Sequence, residues 1–136
     1  MIDQFAEYSH AIAALAIWAL MSIILGGLST VGRTAETRSD CGKPIRDYAN
    51  PVYRRERAFA NAVEVSGPFI AATLAAILAG AAPFVVNLLA SIFIAARIAM
   101  AVVHIGTENQ PMRSAMFVIG WLCMIGLAIS AIWAVF

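Results

Sequence analysis

The chain has 136 residues, of which 62% are hydrophobic and 12% are charged, and its formal net charge is +1. A water-soluble domain of this size does not need so many apolar residues to fill its core, so the composition argues against an ordinary soluble enzyme and indicates burial in a lipid bilayer. The two cysteines, Cys41 and Cys123, are too few and too far apart for a zinc site or a disulfide framework. We predict two free thiols and no metal.

Four long apolar runs follow one another along the chain. Each is close to the roughly 20 residues that span the hydrocarbon of a bilayer. We therefore predict an all-α membrane protein, a four-transmembrane-helix bundle that forms a single domain over residues 1–136, with a polar loop over about residues 33–56. The predicted helices cover about residues 10–32, 58–80, 83–104 and 114–136.

The short connections constrain how these helices pack. Ala81, Ala82 and Pro83 form a tight turn, so the second and third helices should pack as an antiparallel hairpin. Stripes of Ala and Gly on several spans favour close contact between helices, within one chain or between chains. Oligomerisation is therefore expected, but the number of subunits is not readable from these stripes.

The basic residues are distributed asymmetrically. All nine lie in or beside the first or third connection, and the opposite face has none. The positive-inside rule then places the long loop in the cytoplasm and both termini on the non-cytoplasmic side. The compact, Ala-rich composition is bacterial in style, which predicts a multi-pass protein of a bacterial inner membrane. The nine residues are Arg33, Arg38, Lys43, Arg46, Arg54, Arg55, Arg57, Arg97 and Arg113.

Polar side chains within the second and third spans lie on single helical stripes. Arg57, Asn61 and Glu64 are spaced i, i+4 and i+7, and Arg97 and His104 are spaced i and i+7. A carboxylate at the depth of Glu64 costs a few kcal/mol unless it is paired or hydrated, so it should not face lipid. One interpretation is a structural ion pair between Glu64 and Arg97.

A second interpretation adds Arg113 and Ser114 at the start of the fourth helix, near a helix N-terminus that favours anions. These groups together would form a mixed-charge pocket open to the cytoplasm. Its cations would bind carboxylates and its single carboxylate would bind an amine, as a small zwitterionic or anionic ligand requires. For His104 and Asn61 taken alone, packing or an interhelical hydrogen bond explains the residue as well.

The second helix also carries a recognisable motif. The segment RERAFANAVEVSGPF resembles the second-helix signature of the membrane-associated proteins in eicosanoid and glutathione metabolism, the MAPEG family, with the core R-A-x-x-N-x-x-E-x-x-x-P-F. The resemblance continues through GAAPFV and the helix of Arg97 to PMRS at Pro111–Ser114, which is similar to microsomal prostaglandin E synthase. It covers about residues 56–117, with unbroken spacing.

This resemblance implies a homotrimer that binds glutathione as co-substrate in a cytoplasm-facing pocket between protomers. It implies that Arg113 faces the glutathione thiol and favours the reactive thiolate, with Ser114 as a hydrogen-bond donor to the same sulfur. In the family an arginine from the end of the first helix often joins the pocket, and Arg33 and Arg38 are both candidates. The glutathione-binding residues implied by the resemblance are Arg57, Asn61, Glu64, Arg97 and His104.

The chain also departs from the family pattern at four positions. His104 and Phe117 stand where the eicosanoid enzymes carry tyrosines, Met100 replaces a histidine, and Ala60 replaces a second arginine of one member. These changes should weaken glutathione binding or alter its pose. We therefore expect general detoxification rather than prostaglandin or leukotriene synthesis.

Three functions from different classes are consistent with the sequence. The first is a membrane-bound glutathione-dependent transferase or peroxidase that acts on lipophilic electrophiles or hydroperoxides. The second is a non-catalytic lipid-binding or scaffold protein of the same fold, and the third is a small proton-coupled exporter built around Glu64. Arg57 and Arg97 would repel a cationic cargo, which ranks the exporter last. The expected partners are glutathione, a lipophilic small molecule, membrane lipid and further copies of the chain, and no nucleic acid.

Overall fold

The computed structural model describes residues 5–136, and residues 1–4 lie outside the described part. Within that part the chain forms four long helices joined by one long and two short connections. All four are long and apolar enough to cross a membrane, which confirms the predicted four-helix membrane fold. We label them α1 (Ser9–Leu28), α2 (Pro51–Leu78), α3 (Pro83–Gly106) and α4 (Gln110–Val135).

The helix α2 begins seven residues before the apolar run that predicted it. The Asn50 side chain caps its N-terminus by accepting a hydrogen bond from the Val52 amide at 2.9 Å, and Pro51 stands in the first turn, where its missing N–H costs nothing. Hydropathy marks only the part of a helix that lies in hydrocarbon, whereas the cap marks where the helix starts. The residues after Pro51 are therefore helix and not loop.

Helix α1 is shorter than the sequence predicted, because it ends at Leu28 and not near residue 32. The hydroxyls of Ser29 and Thr30 donate to the carbonyls of Gly26 and Gly27, so they compete for the acceptors that a continuing helix would use. Gly32 then adopts a φ of +77°, a left-handed conformation in which glycine is unstrained.

Helix α4, like α2, begins earlier than the sequence predicted, at Gln110 and not near residue 114. Asn109 accepts a hydrogen bond from the Met112 amide at 3.1 Å, and Pro111 lies in the first turn, so α4 begins at Gln110. Arg113 and Ser114 consequently belong to the first turns of a capped helix.

Aromatic side chains form the centre of the bundle. Trp18, Phe69 and Phe93 come from α1, α2 and α3 and are almost completely buried. Phe69 and Phe93 stack with ring centroids 3.8 Å apart, and Trp18 meets Phe93 edge to face at 5.2 Å. The Trp18 indole donates to the Ser66 hydroxyl at 2.9 Å. This cluster fixes α1 against the hairpin of α2 and α3.

The turn between α2 and α3 has the predicted form. Gly80 adopts a φ of +71°, and α3 starts at Pro83 after four connecting residues. The buried Tyr8 hydroxyl donates to the Ala81 carbonyl at 2.6 Å, which ties the start of α1 to this turn. Helix α4 packs against α2 and α3. The candidate site lies between these three helices, at the end of the bundle opposite the turn between α2 and α3.

Candidate functional site

A polar cavity of about 200 Å³ lies between α2, α3 and α4. Five of the seven site residues predicted from the sequence line it, and the other two, Glu64 and Arg97, lie next to it. Met100 and Phe117 complete the wall. The five predicted residues are Arg57, Asn61, His104, Arg113 and Ser114.

The convergence of these residues follows from helix geometry. Arg57 and Asn61 are four residues apart on α2, so they occupy neighbouring turns of one face. His104 stands in the last turn of α3, and Arg113 stands in the first turn of α4. The short connection between α3 and α4 holds these two ends together. The polar stripe of each helix therefore faces a common cavity.

The charge of the cavity is positive. The guanidinium groups of Arg57 and Arg113 line it, and no carboxylate does. Among residues 5–136, neither arginine forms an ion pair with an acidic group. Two uncompensated guanidinium groups and a hydroxyl, at Ser114, provide donors for carboxylate, thiolate or phosphate groups.

Arg97 forms the floor below the cavity, and its side chain is not paired with Glu64. It is 3% exposed and donates from Nη2 to the backbone carbonyl of Asn61 at 3.3 Å and also to the Asn61 side-chain oxygen. Its guanidinium carbon lies 5.7 Å from the ring centroid of Phe117. The ion pair between Glu64 and Arg97 is therefore absent from the described chain, because Asn61, one turn closer to the start of α2, accepts the hydrogen bonds of Arg97.

Glu64 faces outward from the four-helix bundle. It is exposed on the single chain and lines an elongated groove of about 700 Å³ between α2 and α4. Among residues 5–136, no basic side chain forms an ion pair with the Glu64 carboxylate. The rest of the groove is apolar and includes Trp121, and Phe117 lines both the groove and the polar cavity. The two spaces are therefore adjacent.

Tyr48 belongs to this site, although the sequence did not single it out. Its hydroxyl accepts a hydrogen bond from Arg113 Nη1 at 3.1 Å and shares another with His104 Nδ1 at 3.3 Å. The Arg113 guanidinium also lies over the Tyr48 ring, 5.5 Å from its centroid. One sequence feature could have indicated Tyr48, its position two residues before Asn50, which caps α2. That cap fixes the end of the loop beside the cavity.

Arg33 and Arg38, the two candidates for a further pocket arginine, do not line the cavity within this chain. Arg33 donates to Glu56 Oε2 at 2.6 Å and to the Ser29 carbonyl at 2.8 Å, and Lys43 lies 3.7 Å from the same carboxylate. Arg38 is exposed and donates to the Thr34 carbonyl at 3.2 Å. Glu56 thus ties the end of α1 and the loop to the start of α2.

Comparison with known proteins agrees with this fold. A family model described as "MAPEG family" matches residues 8–133. The chain therefore belongs to the MAPEG family, whose members are four-helix membrane bundles associated with glutathione and eicosanoid metabolism. A search of curated proteins found no match.

Proposed function

We propose that this protein is a membrane-bound glutathione-dependent transferase or peroxidase. The observation that supports this proposal is the cavity in which Arg57 and Arg113, which no acidic group of residues 5–136 pairs with, lie beside Ser114 and next to an apolar groove. A polar co-substrate would enter the cavity from the water side. A lipophilic electrophile or hydroperoxide would reach it through the groove from the bilayer.

Arg113 is proposed to stabilise the glutathione thiolate. A free thiol has a pKa of about 8.5, and a guanidinium beside it favours the ionised form, which is the nucleophile. Ser114 is adjacent in the first turns of α4, and its hydroxyl can donate to the same sulfur. In conjugation the sulfur forms a bond to an electrophilic carbon while a leaving group departs with its electron pair. In peroxide reduction the sulfur attacks one oxygen of the O–O bond, which breaks to release an alcohol, and a second glutathione then converts the sulfenic acid to glutathione disulfide and water.

Arg57, Asn61 and His104 are proposed to hold the peptide part of glutathione, with Arg97 supporting Asn61 from below. Glu64 is proposed to bind the glutathione amine in a homotrimer, where a neighbouring protomer would cover the Glu64 end of the groove and leave its apolar part open to the bilayer. Its outward-facing carboxylate supports this arrangement, because an unpaired charge at that depth is costly in contact with lipid.

The groove also favours a second candidate, a non-catalytic lipid-binding protein of the same fold. Its volume is about 700 Å³ against about 200 Å³ for the polar cavity, and almost all its lining is apolar. Such a protein would bind lipid without glutathione. Arg57 and Arg113 line the polar cavity beside this groove, where their positive charge would bind an anionic co-substrate and repel a cation. They therefore favour the enzyme over the lipid-binding protein and over an exporter of cations.

Calorimetric titration of the detergent-purified protein with glutathione separates these functions. We expect binding at millimolar or lower concentration, and Glu64→Gln should weaken it about tenfold, because the amine loses its charged partner. Glu36→Gln, which changes an exposed loop carboxylate, is the matched control and should bind like the wild type. Absence of binding at cytoplasmic millimolar concentrations would favour the lipid-binding protein.

The proposal also places the loop and the cavity in the cytoplasm. Cys41 is exposed in the loop and Cys123 is buried in α4. A membrane-impermeant maleimide should therefore label Cys41 in inverted inner-membrane vesicles and not in intact spheroplasts, and Cys41→Ser should abolish the labelling. Labelling confined to spheroplasts would reverse the orientation.

The same thiol gives a pH-dependent prediction. A hydrogen bond with the Ser39 hydroxyl, 3.2 Å from the sulfur, is the main cause that lowers the pKa of Cys41. Because the thiolate reacts with maleimide, labelling of Cys41 should persist to lower pH than labelling of an ordinary cysteine. Ser39→Ala should move the rate profile to higher pH, and an unchanged profile would contradict the assignment.

A further inference from the structure

The side chain of Arg113 has one acceptor among residues 5–136, the hydroxyl of Tyr48. An arginine side chain is long and flexible, and no acidic group among the described residues forms an ion pair with Arg113 that would fix its direction. Tyr48 contacts it in two ways, through the hydrogen bond at 3.1 Å and through its ring, 5.5 Å from the guanidinium carbon. These contacts hold the guanidinium in one place at the cavity wall.

Tyr48 is itself fixed by a buried arginine. Arg54 is 8% exposed, and its Nη1 donates to the carbonyls of Tyr48 and Ala49 at 2.9 and 2.8 Å. Its Nε donates to the Ile105 carbonyl at 3.3 Å, and Glu108 lies 3.6 Å from Nη1. Arg54 therefore joins the loop end to the C-terminal turn of α3. The position of Tyr48 is set by two membrane helices and not by the loop alone.

The Tyr48 hydroxyl also connects Arg113 with His104. It accepts from Arg113, so its single hydrogen remains available to His104 Nδ1, 3.3 Å away, or to an anion that binds at Arg113. An anionic sulfur is a stronger acceptor than a neutral ring nitrogen. The geometry thus allows the phenol to accept a hydrogen bond from Arg113 and, at the same time, to donate its own hydrogen to a bound thiolate.

We propose that Tyr48, held in place by Arg54, both positions Arg113 and donates a hydrogen bond to the bound thiolate, and that it thereby increases the fraction of bound glutathione present as thiolate. The inference rests on the proposed function, since it concerns the same thiol. It adds a loop residue to a site that is otherwise built from helices. Loss of the hydroxyl should change thiol ionisation more than it changes glutathione affinity.

The test compares Tyr48→Phe with the wild type and with Tyr53→Phe. Phenylalanine keeps the ring over the guanidinium and removes only the hydroxyl, so the fold should be retained. Tyr53 is half-buried on α2 and does not line the cavity, which makes it a matched control. Calorimetry gives the glutathione affinity, and ultraviolet absorbance of the thiolate against pH gives the pKa of the bound thiol.

We expect Tyr48→Phe to reduce the thiolate fraction at neutral pH by about tenfold or more, the effect of one hydrogen bond to a charged group, with kcat reduced in parallel. The KM for glutathione should change by less than about threefold. Tyr53→Phe should match the wild type. Arg54→Lys keeps the charge but loses the planar fork, and it should shift the thiol pKa in the same direction as Tyr48→Phe.

The outcomes separate the two proposals. If the wild type does not bind glutathione, the proposed function fails and the role of Tyr48 fails with it. If the wild type binds glutathione and forms a thiolate, but Tyr48→Phe leaves the thiol pKa unchanged, only the role of Tyr48 is overturned. An equal shift in Tyr53→Phe would also overturn it, because the effect would not depend on contact with Arg113.

Discussion

Replacement of Arg113 by alanine is expected to reduce the rate of glutathione conjugation to a lipophilic aromatic electrophile by about 10²- to 10³-fold. This is the typical effect of removing a donor that stabilises a developing or resting anion in a site of this kind. Arg113 lines the cavity, and none of the described acidic groups neutralises it. The measurement is the steady-state rate in proteoliposomes, with kcat and KM determined separately.

Arg46→Ala is the matched control, because Arg46 is an exposed loop arginine and does not line the cavity. It should retain the wild-type rate. The loss in Arg113→Ala should appear in kcat rather than in KM, since the thiolate is needed for the chemical step and most of the glutathione contacts lie elsewhere. Full activity of Arg113→Ala would show that another group ionises the thiol.

The second large effect is expected on stability, in Trp18→Ala. The indole contacts Phe69 and Phe93 and donates to Ser66, and a bilayer cannot fill the space that it leaves between three helices. Large-to-small changes of this kind cost about 3 kcal/mol in the free energy of unfolding. Reversible unfolding in mixed micelles, followed by far-ultraviolet circular dichroism, measures the loss.

Trp133→Ala provides the comparison, because Trp133 is 81% exposed near the end of α4. Its removal leaves no cavity inside the bundle, so the free energy of unfolding should change by less than about 1 kcal/mol. Equal destabilisation by both changes would indicate that the aromatic cluster around Trp18 does not hold α1 in the bundle.

The number and order of the helices could be predicted from the sequence, whereas their ends could not. Apolar runs report which residues lie in hydrocarbon, and this property identified all four spans. The first turns of α2 and α4 carry polar and charged residues, so the apolar runs could not include them. Their starts depend on the Asn50 and Asn109 caps, which are local hydrogen bonds.

Most of the cavity could be predicted because helical spacing decides which side chains share a face. Arg57 and Asn61 follow from this rule, and Arg113 follows from its place at the start of α4. The partner of Arg97 could not be predicted in this way. Helical spacing puts Asn61 and Glu64 on one stripe of α2, but it does not show that Asn61 faces Arg97 while Glu64 faces out of the bundle.

Tyr48 could not be predicted because the path of a 22-residue loop, from residue 29 to residue 50, is not set by any periodic pattern. Its position depends on the hydrogen bonds of Arg54, a residue that the sequence presents as one of several basic groups near the membrane surface. The resemblance to the MAPEG family marked His104 as a departure from a tyrosine. The structure places a phenol beside this histidine from a different segment.

The most direct test of the proposed function is the ultraviolet difference spectrum of glutathione bound to the wild-type protein, recorded at neutral pH against free glutathione. Ionisation of the bound thiol should add thiolate absorbance that free glutathione lacks at this pH, and S-methylglutathione, which has no ionisable thiol, should give none. Bound glutathione that shows no thiolate absorbance until the pH approaches that of a free thiol would contradict the role proposed for the Arg113 cavity.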